Sequence, residues 1–214
     1  MTAKEEDILT SENLIKKGIA IEKLINSLIV TPGITNTDLI LGDRNAVMVA
    51  SRILAYGPEY VTQMEDPMTG ELVSQTFDLT DCPFKELPED VDYSTNVFDF
   101  TLPTTKTNIQ FRLLNGQDEK VIENSIKAMK KVSSVSPQLT TRLKSAIVSV
   151  DGEENKQTIS NFVDNMLSRD SLALRTEIQR ISPDIELTQE VDLGGRTVEV
   201  TIPMTVNFFW PSAK

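Results

Sequence analysis

The stretch Leu41–Tyr60, LGDRNAVMVASRILAYGPEY, decides how this chain is read. Asp43 stands where a helix N-terminus takes a capping carboxylate, and Gly57-Pro58 supplies a stop signal at the other end. Between them Ala46, Val47, Met48, Val49, Ala50, Ile53 and Leu54 leave almost no polar face, which predicts a short helix buried on most sides. Two arginines interrupt that surface. Arg44 and Arg52 project within roughly 80° of each other on a helix. A guanidinium in so apolar a setting must reach water or a partner group. Either both snorkel to the surface, or they pin the helix to a neighbour; on the second reading Arg44 and Arg52 are candidate partner-binding residues.

Upstream, Leu14, Gly18, Ile21, Ile25 and Leu28 share one face, predicting an amphipathic helix from Ser11 to Ile29 that Pro32-Gly33 ends. Residues Met1–Thr10 read as a flexible N-terminal arm. Downstream, Tyr60–Leu79 reads as a hairpin turning at Asp66-Pro67-Met68-Thr69-Gly70. The prolines and acids of about residues 81–96 predict an exposed acidic loop, with Cys82 incidental within it. VFDFTLP and NIQFRLL read as two short strands. A helix follows from Gln117 to Val132, with Val121, Ile122, Ile126 and Met129 inward and Lys127, Lys130 and Lys131 toward its C-terminus. After Pro137, LTTRLKSAIVSVDG alternates as a strand would. Asn155 caps a helix carrying Ile159, Phe162, Val163 and Leu167, and SLALRTEIQRI continues helical up to Pro183. IELTQEVDL, Gly194-Gly195 and RTVEVTIPMTVNFFW form the clearest hairpin. The expected fold class is α+β, with N-terminal helices, antiparallel hairpins and a helical segment before the C-terminal hairpin, in a single domain over residues 11–214.

Composition narrows function by exclusion. The chain of 214 residues is acidic, with 32 Asp and Glu against 21 Lys and Arg, which disfavours phosphate backbones and so direct nucleic-acid binding. It has no histidine and a single cysteine. That removes Ser-His and Cys-His nucleophilic pairs, Cys- or His-based zinc sites and an internal disulfide. No glycine-rich phosphate loop, calcium-type acidic spacing, secretory leader or membrane-length apolar run is present, so neither cofactor nor small-molecule substrate nor membrane insertion is expected. Carboxylate chemistry is the enzyme alternative: a hydrolase using two acids from Asp78, Asp81, Glu86, Glu89 and Asp90. The chain reads instead as a non-enzyme that presents surfaces, or as a host-cell adaptor. Phe208, Phe209 and Trp210, at the chain's end, are aromatic anchors for a partner or the cap of the chain's own core. On a strand, Phe208 and Trp210 would share one face and Phe209 the other. The acidic loop and the basic stretch Lys120–Lys144 form opposed patches, either solvated faces or a docking pair.

Four pieces in order, PGI at Pro32–Ile34, GDRNAVMVASRILAYGPEY, FRLLNGQDE at Phe111–Glu119 and VTIPMTVNFFWP at Val200–Pro211, with IVSVDG at Ile147–Gly152, resemble one family. It is the baseplate hub family of T-even-type contractile-tail bacteriophages, whose members are called hub subunits or hub assembly chaperones. The resemblance implies a protein at the centre of the tail baseplate, where the tail tube begins, with other baseplate and tail-tube proteins as partners. It implies assembly in the host cytoplasm and residence in the virion tail baseplate, or a transient assembly role with absence from the mature virion. Many members carry Cys-x-x-Cys in each of two hairpin turns, a zinc-ribbon-like site. Here the matching positions hold Asp66, Thr69, Val191 and Gly194, a set that cannot bind zinc well. A metal-free fold is expected, with packing in place of the ion.

Overall fold

Glycines and prolines cut the chain into short elements, which gather around two separate apolar centres. The computed structural model describes residues 1–66, 68–130, 137–193, 195–204 and 206–209. The chain divides into two compact units. Unit 1 comprises Met1–Asn36, Gly42–Lys85 and Asp184–Lys214; unit 2 comprises Thr37–Leu41 and Glu86–Pro183. Helices with small antiparallel sheets make both, so the α+β class holds.

Unit 1 opens with α1 (Ala3–Thr10). The Thr2 amide and hydroxyl both donate to Glu5 Oε2 at 2.7 Å, fixing the helix start, and Leu9 is 1% exposed. The single helix expected over Ser11–Ile29 is two, α2 (Glu12–Lys16) and α3 (Ala20–Leu28). Gly18 sits between them at φ +69°, a left-handed conformation that glycine adopts without steric cost and that ends α2. Apolar periodicity alone did not reveal that break. The decisive helix forms as read, α4 (Leu41–Tyr56), and stops as read: the Gly57 amide donates to Ile53 O at 2.9 Å with φ +85°. It is not buried on most sides, however. Met48, Val49, Ser51 and Arg52 turn inward while Leu54 is 84% exposed. Two antiparallel hairpins follow, β1 (Glu59–Glu65) with β2 (Leu72–Asp78), and, at the far end of the sequence, β6 (Thr188–Asp192) with β7 (Thr197–Thr201). Registers such as Tyr60↔Phe77 and Gln189↔Val200 turn alternate residues inward. The last strand ends at Thr201, and Val206–Phe209 form a 3-10 turn rather than more strand. Cys82 is buried rather than looped out, and burial pushes its thiol pKa up.

Unit 2 is built on the three-stranded sheet β3 (Phe98–Thr101), β4 (Asn108–Phe111) and β5 (Ile147–Val150), in that order, all antiparallel. Phe98 pairs with Phe111 and Ile109 with Val150, and this face meets Leu102, Leu143, Ile159, Val163, Leu174 and Ile181. Helices α5 (Gly116–Lys130), α6 (Gln138–Ala146), α7 (Lys156–Asp164) and α8 (Ser168–Ile181) complete it. The segment expected as one strand is α6 followed by β5. Pro137 starts the helix, its carbonyl accepting from the Thr141 amide, and Leu139, Leu143 and Ala146 recur at helical spacing. In α5 only Ile122 is fully buried of the four residues expected inward; Val121 and Met129 are exposed, because one narrow stripe is enough to dock the helix. Lys131 and Val132 lie outside the described residues. Asn155 caps α7 as read, its Oδ1 accepting from the Gln157 amide at 2.8 Å.

Candidate functional site

The residues singled out by sequence converge on unit 1. Arg52, 3% exposed, extends its guanidinium to three backbone carbonyls: Nε donates to Phe208 O at 3.0 Å, and the two terminal nitrogens donate to Gly57 O and Glu59 O, each at 3.1 Å. Its carbon lies 5.1 Å from the Tyr56 ring centroid. Burial lowers the arginine pKa, and the carbonyls carry the charge in place of a carboxylate. One side chain thus ties the C-terminal part of α4 to the entry of β1 and to the C-terminal 3-10 turn, the last 156 residues further along the chain. The groups that Arg52 reaches all belong to this chain.

The aromatics serve the same end. Phe208 and Phe209 are each 0% exposed within the chain's own fold. The Phe208 ring meets Tyr60 edge-on at 4.9 Å and Phe209 at 5.2 Å, and Tyr60 packs on Phe77 at 6.4 Å. Because the 3-10 turn replaces strand, both phenylalanines point inward instead of alternating. The Tyr60 hydroxyl donates to Pro203 O at 3.3 Å. Trp210 lies outside the described residues. Arg44 takes no part in this network. It is half-buried, and its Nε has no hydrogen-bond partner among the described residues.

Three further contacts had little sequence signal. The Tyr56 hydroxyl donates to Glu6 Oε1 at 2.9 Å, and burial together with that acid pushes the phenol up to about 12. Arg196 reaches from the β6–β7 turn to Asp66 Oδ2 at 3.4 Å and to Met68 Sδ at 3.5 Å in the β1–β2 turn. The two turns compared with zinc-binding ones therefore do meet, through a guanidinium. Asp66 is held below the usual carboxylate range mainly by the Met68 amide, against its own burial. Thr69 accepts from the Glu71 amide, Val191 is buried, and Gly194 lies outside the described residues. In unit 2, Asp170 is 0% exposed and accepts from the amides of Thr104 at 2.7 Å and Thr105 at 3.1 Å. Burial would push that carboxyl up, but the threonine amides and hydroxyls prevail and hold it down. Arg112 forms a bidentate pair with Asp118, at 2.7 and 2.6 Å, at the start of α5, where Asn115 Oδ1 accepts from the Gln117 and Asp118 amides.

Of the acids considered for hydrolysis, Asp78 and Asp90 are engaged elsewhere. Asp78 caps a short turn through the Thr80 hydroxyl and amide, and Asp90 is gripped by Arg180; both pKa values are lowered, the opposite of what a general acid needs. The basic stretch is largely neutralised on the spot, with Arg142 on Glu119, Lys144 on Asp164 and Lys127 on Glu123. Among the described residues no group of three or more histidine, cysteine or acidic side chains could hold a metal ion, and no helix is long and apolar enough to cross a membrane.

A family model described as T4 bacteriophage base plate protein matches residues 1–210. No curated protein and no solved structure matches the chain.

Proposed function

The chain belongs to the T4 bacteriophage base plate protein family, and from that premise we propose that it is a non-enzymatic subunit of the baseplate hub, acting by association with neighbouring baseplate and tail-tube proteins. The match along nearly the whole chain is the observation that carries this reading. Chemistry agrees with it: the polar networks described above are closed on the chain itself, and they lock shape instead of activating a substrate. Since Phe208 and Phe209 are spent on the core, association falls to surface side chains. Leu54 at 84% exposure and Phe84 at 75% supply apolar contact, and Arg44, with no bond among the described residues, is an arginine left for a partner carboxylate.

The test is to withhold the chain during infection and image the products by electron microscopy. A hub subunit's loss leaves no complete baseplates and no tubes started from them. Normal tails made without the chain would overturn the proposal. A transient hub assembly chaperone, absent from the mature virion, is the other role the same family reading allows, and it differs in the composition of finished particles.

A further inference from the structure

In unit 2 a groove of about 270 Å³ lies between α6, the end of α7 and α8, and its lining is of two kinds. Leu139, Leu143, Val163 and Met166 make an apolar floor and wall, while Ser168, Ser171 and Arg175 form one stripe along α8. Ser171 is 7% exposed, and its buried hydroxyl has no hydrogen-bond partner among the described residues. A hydroxyl in that state costs free energy unless something meets it. Arg175 is exposed, and its one hydrogen bond goes from Nε to Ser171 O at 3.3 Å, which leaves its terminal nitrogens without a carboxylate among the described residues. The nearby acid in the lining, Asp164, is already engaged by Lys144 at 2.7 Å. Beside the groove Leu139, Leu167 and Leu172 stand 42%, 48% and 55% exposed.

We propose that this groove docks a leucine-type side chain and an adjacent carboxylate from a segment of a partner protein, the carboxylate pairing with Arg175. The volume fits about one or two aliphatic side chains and is small for a cofactor. The complementary sign is set by Arg175, the one lining cation without an acidic partner among the described residues. The proposal rests on the baseplate reading only for making the partner another subunit of the same assembly.

The test uses the full chain, isotope-labelled, titrated by NMR with a short synthetic helical peptide presenting leucine and glutamate at i and i+4. Its twin carries glutamine for glutamate. The expected result is shifts confined to Leu139, Met166, Ser171 and Arg175, with the glutamine twin binding about tenfold more weakly. Arg175→Gln, at an exposed position, keeps the spectrum of the folded chain and erases the difference between the twins. Equal binding of the twins, shifts centred elsewhere, or no shift with either peptide overturns the proposal. Because the peptides do not test baseplate membership, such a failure leaves the hub reading to its own experiment.

Discussion

Arg52 in unit 1 and Asp170 in unit 2 are buried ions held by backbone groups, and the two differ in sign and in reach. In unit 1 the ion is a cation, Arg52, in the last third of α4, and it depends on the carbonyls of Gly57, just past the helix end, Glu59 and Phe208. In unit 2 it is an anion, Asp170, in the first turn of α8, where the dipole already favours negative charge and the Thr104 and Thr105 amides add to it. The arginine's forked donors reach three points of the chain, so they join elements distant in sequence. The carboxylate anchors one loop to one helix end. Unit 1, assembled from three separate stretches of sequence, uses the wider reach; unit 2, nearly continuous, does not require it.

This contrast can be broken at its strongest point first. Phe208→Ala removes a fully buried ring that packs on Tyr60 and Phe209, and is expected to cost about 3–5 kcal/mol in denaturant unfolding, reported by the hydrogen exchange of β1 and β2. Arg52→Met keeps the bulk but strands three carbonyls, and a loss of about 3 kcal/mol is expected by the same measurement. A near-neutral outcome would mean that the carbonyls are hydrated and the clamp is dispensable.

Asp170→Asn keeps the shape and loses the charge, so a smaller destabilisation is expected, with faster exchange at the Thr104 and Thr105 amides. Its pH dependence sharpens the comparison. A carboxyl whose pKa is lower in the folded state stabilises above its unfolded pKa, and that contribution disappears as pH falls through the folded value. The deficit of Asp170→Asn relative to the parent should therefore shrink below about pH 4, whereas the Arg52→Met deficit should not shrink for this reason. The smallest effect belongs to Arg196→Ala, under about 1 kcal/mol, since the guanidinium is half exposed and 3.4 Å from Asp66. A much larger loss would show that the meeting of the two turns carries more of unit 1 than its geometry implies.

Local signals were the legible ones. Gly57 as the α4 stop, Asn155 as a cap and the alternating hairpins could be read because each depends on a few adjacent residues. What escaped depends on distance. The role of Arg52 was half visible, as a charge that needed a partner, but nothing in the sequence named the carbonyl of Phe208 as that partner. The Gly18 break and the α6–β5 switch escaped because apolar spacing fits a longer helix or a strand equally well over a few residues. Asp170 carried no signal at all, since its partners are backbone amides in a loop distant in sequence.

The central claim, a subunit that works inside the baseplate, is tested most directly by quantitative mass spectrometry of purified mature particles. The account predicts this chain in fixed stoichiometry with the other baseplate proteins. Presence in assembly intermediates alone would make it the chaperone and contradict a permanent place in the hub; absence from both would contradict the hub role altogether.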